Sequence, residues 1–323
     1  AYVALANGWE SVWVATARSR AVGTVPTTLR PMRTVRLEVS DGLHLTADQW
    51  GATGGRPALL LHGAGQNRHA WKNTASVLAD NGWFVLATDA RGHGDSDWCP
   101  DHNYDMEHTG ADVAAVLDRF EAPPVVIGAS MGGMSALAAQ LQHHDRQLFD
   151  AVVLVDIAPG FAMEGAARIV KWMGANPNGF ATLQDASDAM AAYNPHRPKP
   201  KSLDGLKRVL READDGRWHW RWDPNYILSK PGFGDDDDET LRRRMAETSE
   251  KMMAGAKAVD VPMLLVRGGK SDLVTLDAVR DFLDEVPTAE FVDVAETGHM
   301  VAGDDNDAFT SAVVEFLHRV LVV

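Results

Sequence analysis

The stretch VVIGASMGG, residues 125–133, runs three β-branched residues into a cluster of small ones, with Ser130 standing between Gly128 and Gly132. From Met131 the pattern turns helical and continues to His144. A strand that turns abruptly into a helix forces the residue between them into a strained backbone conformation. Close approach of the two elements also excludes side chains two positions before and two positions after that residue, which accounts for both glycines. The same geometry lifts the serine hydroxyl clear of the sheet and sets it at a helix N-terminus, where amide hydrogens and a partial positive charge favour a developing oxyanion. G-x-S-x-G between a strand and a helix is therefore the pattern of a nucleophile elbow. Taken alone, a tight turn that merely needs small residues explains it as well.

The rest of the chain decides between the two. A serine hydroxyl is a poor nucleophile until a base takes its proton, and the base needs an acid to hold its tautomer and stabilise its charge. Asp272 lies just past the apolar run VPMLLVRGG (261–269), and His299, in ETGHM, follows the last apolar run, so the order along the chain is Ser, Asp, His. Each follows a predicted strand end, where a parallel sheet exposes its site. Asp156, at the strand end in LVDIAP, is a rival acid, and capping the next helix is the plain alternative for Asp272. Upstream, LLLHGAGQN brings the small-residue loop His62–Gly63–Ala64–Gly65 after a strand. The backbone N–H of Ala64 is expected to join that of Met131 as an oxyanion donor. His62 and His93 sit in Gly-rich turns and His143–His144 near a helix end, so all four read as structural. No set of converging ligands suggests a metal site.

Working outward, PALLLHG (57–63), WFVLATDARG (83–92), PVVIGAS (124–130), DAVVLVDIAP (150–159), VPMLLVRGG and AEFVDVAETGH (289–299) are short continuous apolar runs, the pattern of strands buried on both faces. Alternation around Asp41–Gly42 marks a hairpin ahead of them. Helical spacing appears between the runs, as in Leu276, Val279, Phe282, Leu283 and Val286, or Phe309, Val313, Phe316, Leu317 and Val320. Strand and helix alternate, so the class is α/β with a mostly parallel sheet and helices on both faces. From Phe161 to Ala258 no comparable strand run occurs, and residues 161–258 read as a helical cap subdomain inserted into a core of 33–160 and 259–323. Within it, GDDDDE (234–239) reads as a charged helix start or a solvent-facing loop, a cation site being the other alternative. Residues 1–32 form an N-terminal extension, read as an amphipathic helix or a tail packed on the body and a candidate for covering the cap or mediating a homodimer.

Composition narrows the partners. A formal net charge of -14, with no basic stripe, argues against nucleic acid and against an anionic membrane surface. No run reaches the roughly 18 apolar residues a membrane span needs. The single cysteine, Cys99, cannot form an intrachain disulfide, so nothing demands an oxidising compartment and the cytoplasm is the default.

Together HGAGQN (62–67), DARGHGDSD (89–97), GASMGG (128–133), RGGKSD (267–272) and GHM (298–300) closely resemble the α/β-hydrolase superfamily, in particular its bacterial carboxylesterase, cofactor-free haloperoxidase and lactonase-like branch. The resemblance runs from about residue 34 to the C-terminus. It implies an eight-stranded sheet with a cap after the sixth strand, and it implies that DARGHGDSD is a structural turn, without catalytic roles for Arg91, His93 or Asp95. Epoxide hydrolases and haloalkane dehalogenases of this fold carry an aspartate at the elbow, so Ser130 disfavours those activities. The expected function is a cofactor-free serine hydrolase of small to medium uncharged carboxylic esters. Alternatives are a lactonase or carbon–carbon bond hydrolase with the same triad, and a receptor-like ligand binder. Trp218, Trp220 and Trp222 alternate, so in an extended segment they share one face. With Trp71, Trp172, Met173 and Met300 they are candidates to line a substrate pocket, the bland reading being that they hold the cap to the core.

Overall fold

The computed structural model describes residues 2–4, 12–15, 33–193, 202–228, 238–294 and 307–321. In chain order the first strands are β1 (Tyr2–Ala4), β2 (Val12–Ala15), β3 (Arg33–Glu38), β4 (His44–Trp50) and β5 (Arg56–Leu61), followed by α1 (Lys72–Asp80), β6 (Trp83–Thr88) and α2 (Met106–Leu117). Next come β7 (Val125–Ala129), α3 (Met131–Gln142) and β8 (Ala151–Val155). The segment expected to be a cap holds α4 (Met163–Gly174), α5 (Leu183–Tyr193), β9 (Leu210–Glu212), β10 (Trp218–Trp220), α6 (Asn225–Leu228) and α7 (Asp238–Lys257). The chain closes with β11 (Met263–Gly268), α8 (Leu276–Glu285), β12 (Ala289–Val294) and α9 (Asp307–Val320).

The main sheet has the order β1-β2-β12-β11-β8-β7-β5-β6-β4-β3. From β6 through β5, β7, β8, β11 and β12 to β2 all neighbours are parallel, while β3, β4 and β1 pair antiparallel. Alternate residues of each central strand enter opposite cores, which is why the apolar runs are unbroken. Leu59, Leu61, Val126, Val152 and Leu265 pack with residues of α2, α3 and α8, whereas Leu60, Val125, Ile127, Val153 and Leu264 pack with those of α1 and α9. The hairpin stands where expected, closed by Val39 N–H to Leu43 O at 2.8 Å, with Gly42 at φ 71°.

Two expectations change. The eight expected strands are present as β3 to β8, β11 and β12, and β1 and β2 extend the sheet along the outer edge of β12. Residues 2–4 and 12–15 are thus strands where an amphipathic helix was one reading: a sheet edge offers a row of open backbone donors and acceptors that a short Val-rich segment can complete. The segment 161–258 is also not wholly helical. The antiparallel pair β9–β10 and the extension of β10 to Trp222 carry the alternating tryptophans. Toward its C-terminal end α7 joins the core, with Met252 and Ala256 fully buried in the cluster that contains α3. Asp238 and Glu239 open that helix, so the end of the acidic run is a charged helix start; its earlier residues lie outside the described ones. No helix among the described residues is long and apolar enough to cross a membrane.

Candidate active site

Ser130 is the residue between β7 and α3, with φ 46° and ψ -113°. A positive φ is uncommon for a residue with a side chain and signals a backbone held there by its surroundings. Its amide donates to Val155 O at 2.9 Å, and its carbonyl accepts from Met134 N at 3.0 Å, so both ends of the turn are fixed. The two glycines are there for space. A Cβ on Gly128 would stand 2.6 Å from Gly133 N, and one on Gly132 would stand 2.4 Å from Leu61 O, in both cases against backbone that cannot yield. Sequence and structure agree on why the small residues are present.

The loop 62–66 lies against this elbow: a Cβ on Gly63 would touch the Ser130 Cβ at 3.4 Å. Two buried histidines hold the loop. His62 Nε2 accepts from Ala90 N at 3.0 Å, so its proton is on Nδ1, which donates to Gly63 O at 2.8 Å. Burial lowers the His62 pKa from its ordinary value, in keeping with a neutral ring. His93 Nε2 accepts from Gly65 N at 3.2 Å, leaving Nδ1 to donate to Arg91 O at 3.1 Å. The amide of Gly63 donates to Gln66 Oε1 and that of Gln66 to Gly63 O, each at 3.1 Å. Among the described residues no acceptor pairs with the amide of Ala64, nor with that of Met131 at the start of α3. Those are the two donors expected from sequence.

DARGHGDSD is paired almost throughout. Arg91 makes two bonds to Asp112, at 2.6 and 2.7 Å, and one to Asp41 at 3.0 Å. Buried Asp89 accepts from the Arg68 guanidinium, from Arg68 N and from Asp95 N. These side chains hold loops together below the elbow.

The two acids differ in surroundings. Asp156, at the end of β8 with φ 49°, is fully buried and accepts from Gly268 N at 3.0 Å and Ser271 Oγ at 2.7 Å, tying β8 to the loop after β11. Asp272, in that loop, keeps 39% of its side chain exposed and pairs with Arg168 of α4 at 2.7 Å. A Cβ on Gly165 would sit 2.4 Å from Asp272 O, and Ala162 N donates to Leu273 O at 2.7 Å, so α4 rests directly on the acid-bearing loop. Arg168 and Gly165 were not singled out from sequence, because neither carries a motif and the contact is long-range. His299 and Met300 lie outside the described residues.

Above the loop 62–66 stands an aromatic cluster. Trp220 and Trp222 stack with centroids 6.1 Å apart, Trp172 meets Trp220 at 5.4 Å, and Phe180 meets Trp220 edge-on at 5.3 Å. Trp218 packs half-buried against the same cluster, so the alternating residues do share a face. Met173 reaches Gly65, its Cε 3.4 Å from where a Cβ would be. Trp71 does not join them: it is wholly buried on the other face of the sheet, 6.2 Å from Phe309. Among the described residues no group of His, Cys, Asp and Glu could hold a metal ion.

Comparison with known proteins agrees with this fold. A family model for the alpha/beta hydrolase fold matches residues 57–305. The chain is 30% identical to the esterase Rv0045c of Mycobacterium tuberculosis over 286 residues, 86% of each chain. It is 25% identical to a 3-oxoadipate enol-lactonase of Acinetobacter baylyi over 268 residues, 82% of this chain and 90% of the relative. A solved structure of an alpha/beta hydrolase from Novosphingobium aromaticivorans superposes with a TM-score of 0.71 at 25% identity, covering 89% of this chain and 98% of that one.

Proposed function

Since the chain belongs to the α/β-hydrolase family, we propose that it is a serine hydrolase of small to medium, uncharged carboxylic esters working through an acyl-enzyme. The observation that carries this reading is Ser130 itself, held at φ 46° between strand and helix beside two unengaged backbone donors. In the proposed cycle His299 takes the Ser130 proton as Oγ attacks the ester carbonyl. The amides of Ala64 and Met131 hold the oxyanion, and Asp272 fixes and charge-balances the imidazole. Collapse of the tetrahedral intermediate breaks the bond to the alkoxy oxygen, which leaves as the alcohol with the proton from His299. Water then attacks the acyl-enzyme with His299 as base, releasing the acid and restoring Ser130. Asp156 is fully buried and braces Gly268 and Ser271, whereas Asp272 keeps 39% of its side chain exposed, and this contrast favours Asp272 as the acid. A lactone is a cyclic ester, so the same cycle opens lactones, and the enol-lactonase relative keeps that substrate class in view.

The test is direct. Ser130→Ala should abolish hydrolysis of short p-nitrophenyl esters and labelling by a fluorophosphonate probe, which requires an activated serine. Turnover or labelling that survives the substitution would overturn the assignment.

A further inference from the structure

Among the described residues, three buried indoles, Trp71, Trp220 and Trp222, have no hydrogen-bond partner for Nε1. A buried N–H left unpaired is costly, and native proteins keep few of them. Trp222 differs from the other two in where its nitrogen lies. The residue is 2% exposed, and Nε1 lies 3.8 Å from the position a Cβ on Gly65 would take, one residue along from Ala64. The sulfur and methyl of Met173 close the same spot, at 3.8 and 3.4 Å from that position. Trp71, by contrast, packs on the far face of the sheet, and Trp220 lies between Trp172, Phe180 and Trp222 inside the cluster.

Resting on the serine-esterase reading of the site, we propose that Trp222 Nε1 is a specificity-determining donor that selects esters bearing a second oxygen acceptor close to the scissile carbonyl, such as 3-hydroxy or 3-oxo esters. The ring is locked by its stack on Trp220, and Asp223, the next residue, donates its backbone N–H to Gly92 O at 2.8 Å, so the donor is fixed before substrate arrives. The ester carbonyl would occupy the amides of Ala64 and Met131, and the indole stands beside that loop. A substrate oxygen that displaces the flexible Met173 thioether from this spot satisfies a donor that is otherwise orphaned, whereas a purely hydrocarbon acyl chain leaves it unpaired. The walls, Met173 and the indole rings, are apolar, so the acceptor suits a neutral oxygen rather than a carboxylate.

Trp222→Phe removes the N–H and keeps an aromatic ring. The measurement is kcat/KM by pH-stat on methyl butanoate and methyl 3-hydroxybutanoate for the wild type and this variant. The ratio of the two values within one variant does not depend on how much of it is folded. The wild type should favour the hydroxy ester, and Trp222→Phe should lower that ratio about five- to tenfold, the size expected for one neutral hydrogen bond. An unchanged ratio overturns the role of Trp222. If the wild type hydrolyses neither ester and Ser130 resists a fluorophosphonate, the esterase reading itself has failed and takes this inference with it. Hydrolysis of both esters with an unchanged ratio leaves that reading intact and removes only the donor.

Discussion

At the scale of single residues, the choice of acid turns on what each carboxylate already does. Asp156 has its two oxygens committed, one to a backbone amide and one to a hydroxyl, in a place without solvent. It is a brace between β8 and the loop after β11. Asp272 has one bond to a half-exposed arginine and an open side. The substitutions to asparagine separate the two, because asparagine keeps the shape and tolerates the φ of 49° that residue 156 adopts. Asp272→Asn should lower kcat by about three to four orders of magnitude with little change in folding, as expected when the base loses the partner that sets its tautomer. Asp156→Asn should cost about 1–2 kcal/mol in urea unfolding and leave kcat per folded molecule within a few-fold. Loss of kcat in the second variant and not in the first would make Asp156 the acid.

At the scale of elements, the loop 62–66 shows how a strand end is turned into a donor. Its glycines let it approach the elbow, but two neutral imidazoles fix which amide stays open, since Gly63, Gly65 and Gln66 all donate within the protein. That ties the loop to pH. Burial lowers the native pKa of His62 below the 6.5 of the unfolded chain, so between the two values the unfolded state binds the extra proton. Stability is therefore unaffected by His62 above about pH 6.5 and falls below it, by as much as about 1.4 kcal/mol per pH unit until the native pKa is passed. The drop in unfolding free energy from pH 7.5 to pH 5 should be smaller in His62→Gln than in the wild type, and an equal drop in both would show that the ring takes up its proton alike in the folded and unfolded chain. The six central strands, the hairpin and the elbow were legible because both faces of the sheet are covered and each run obeys that burial along its own length. Strands β1 and β2 were not, since three or four residues at a sheet edge carry no pattern of their own and are set by pairing with β12. The Arg168–Asp272 pair was hidden for a related reason: it joins helix and loop far apart in sequence, and nothing local to either residue announces it.

At the scale of the whole molecule, the helical and hairpin segment after β8 is fastened to the sheet on both sides of Ser130. On one side α4 lies on the acid-bearing loop through Gly165 and the Ala162–Leu273 hydrogen bond. On the other, the strand through Trp222 is bonded to the turn 92–95: Gly94 N donates to Arg221 O, Asp223 N donates to Gly92 O, and Arg221 pairs with Asp95 at 2.9 Å. Tyr104 locks this second side. Its hydroxyl donates to Asp223 Oδ2 at 2.6 Å and accepts from Cys99 N at 2.9 Å, and its ring lies so close to Gly92 that a Cβ there would stand 2.5 Å from Cε1. Burial, with the Asp223 carboxylate beside it, raises the phenol's pKa, so the hydroxyl stays a donor at any pH the fold meets. Tyr104→Phe leaves a buried carboxylate oxygen and an amide without this partner, at a cost of about 1–3 kcal/mol. The loss should fall on the placement of Trp222 rather than on Ser130, whose own contacts run to Val155 and Met134. The variant should therefore lose more kcat/KM on p-nitrophenyl octanoate, whose chain is long enough to enter the acyl site proposed at the indole cluster, than on p-nitrophenyl acetate, whose acyl group is too short to extend that far. Equal losses on the two esters would mean that this side of the inserted segment does not shape the acyl site, and that its attachment serves stability alone.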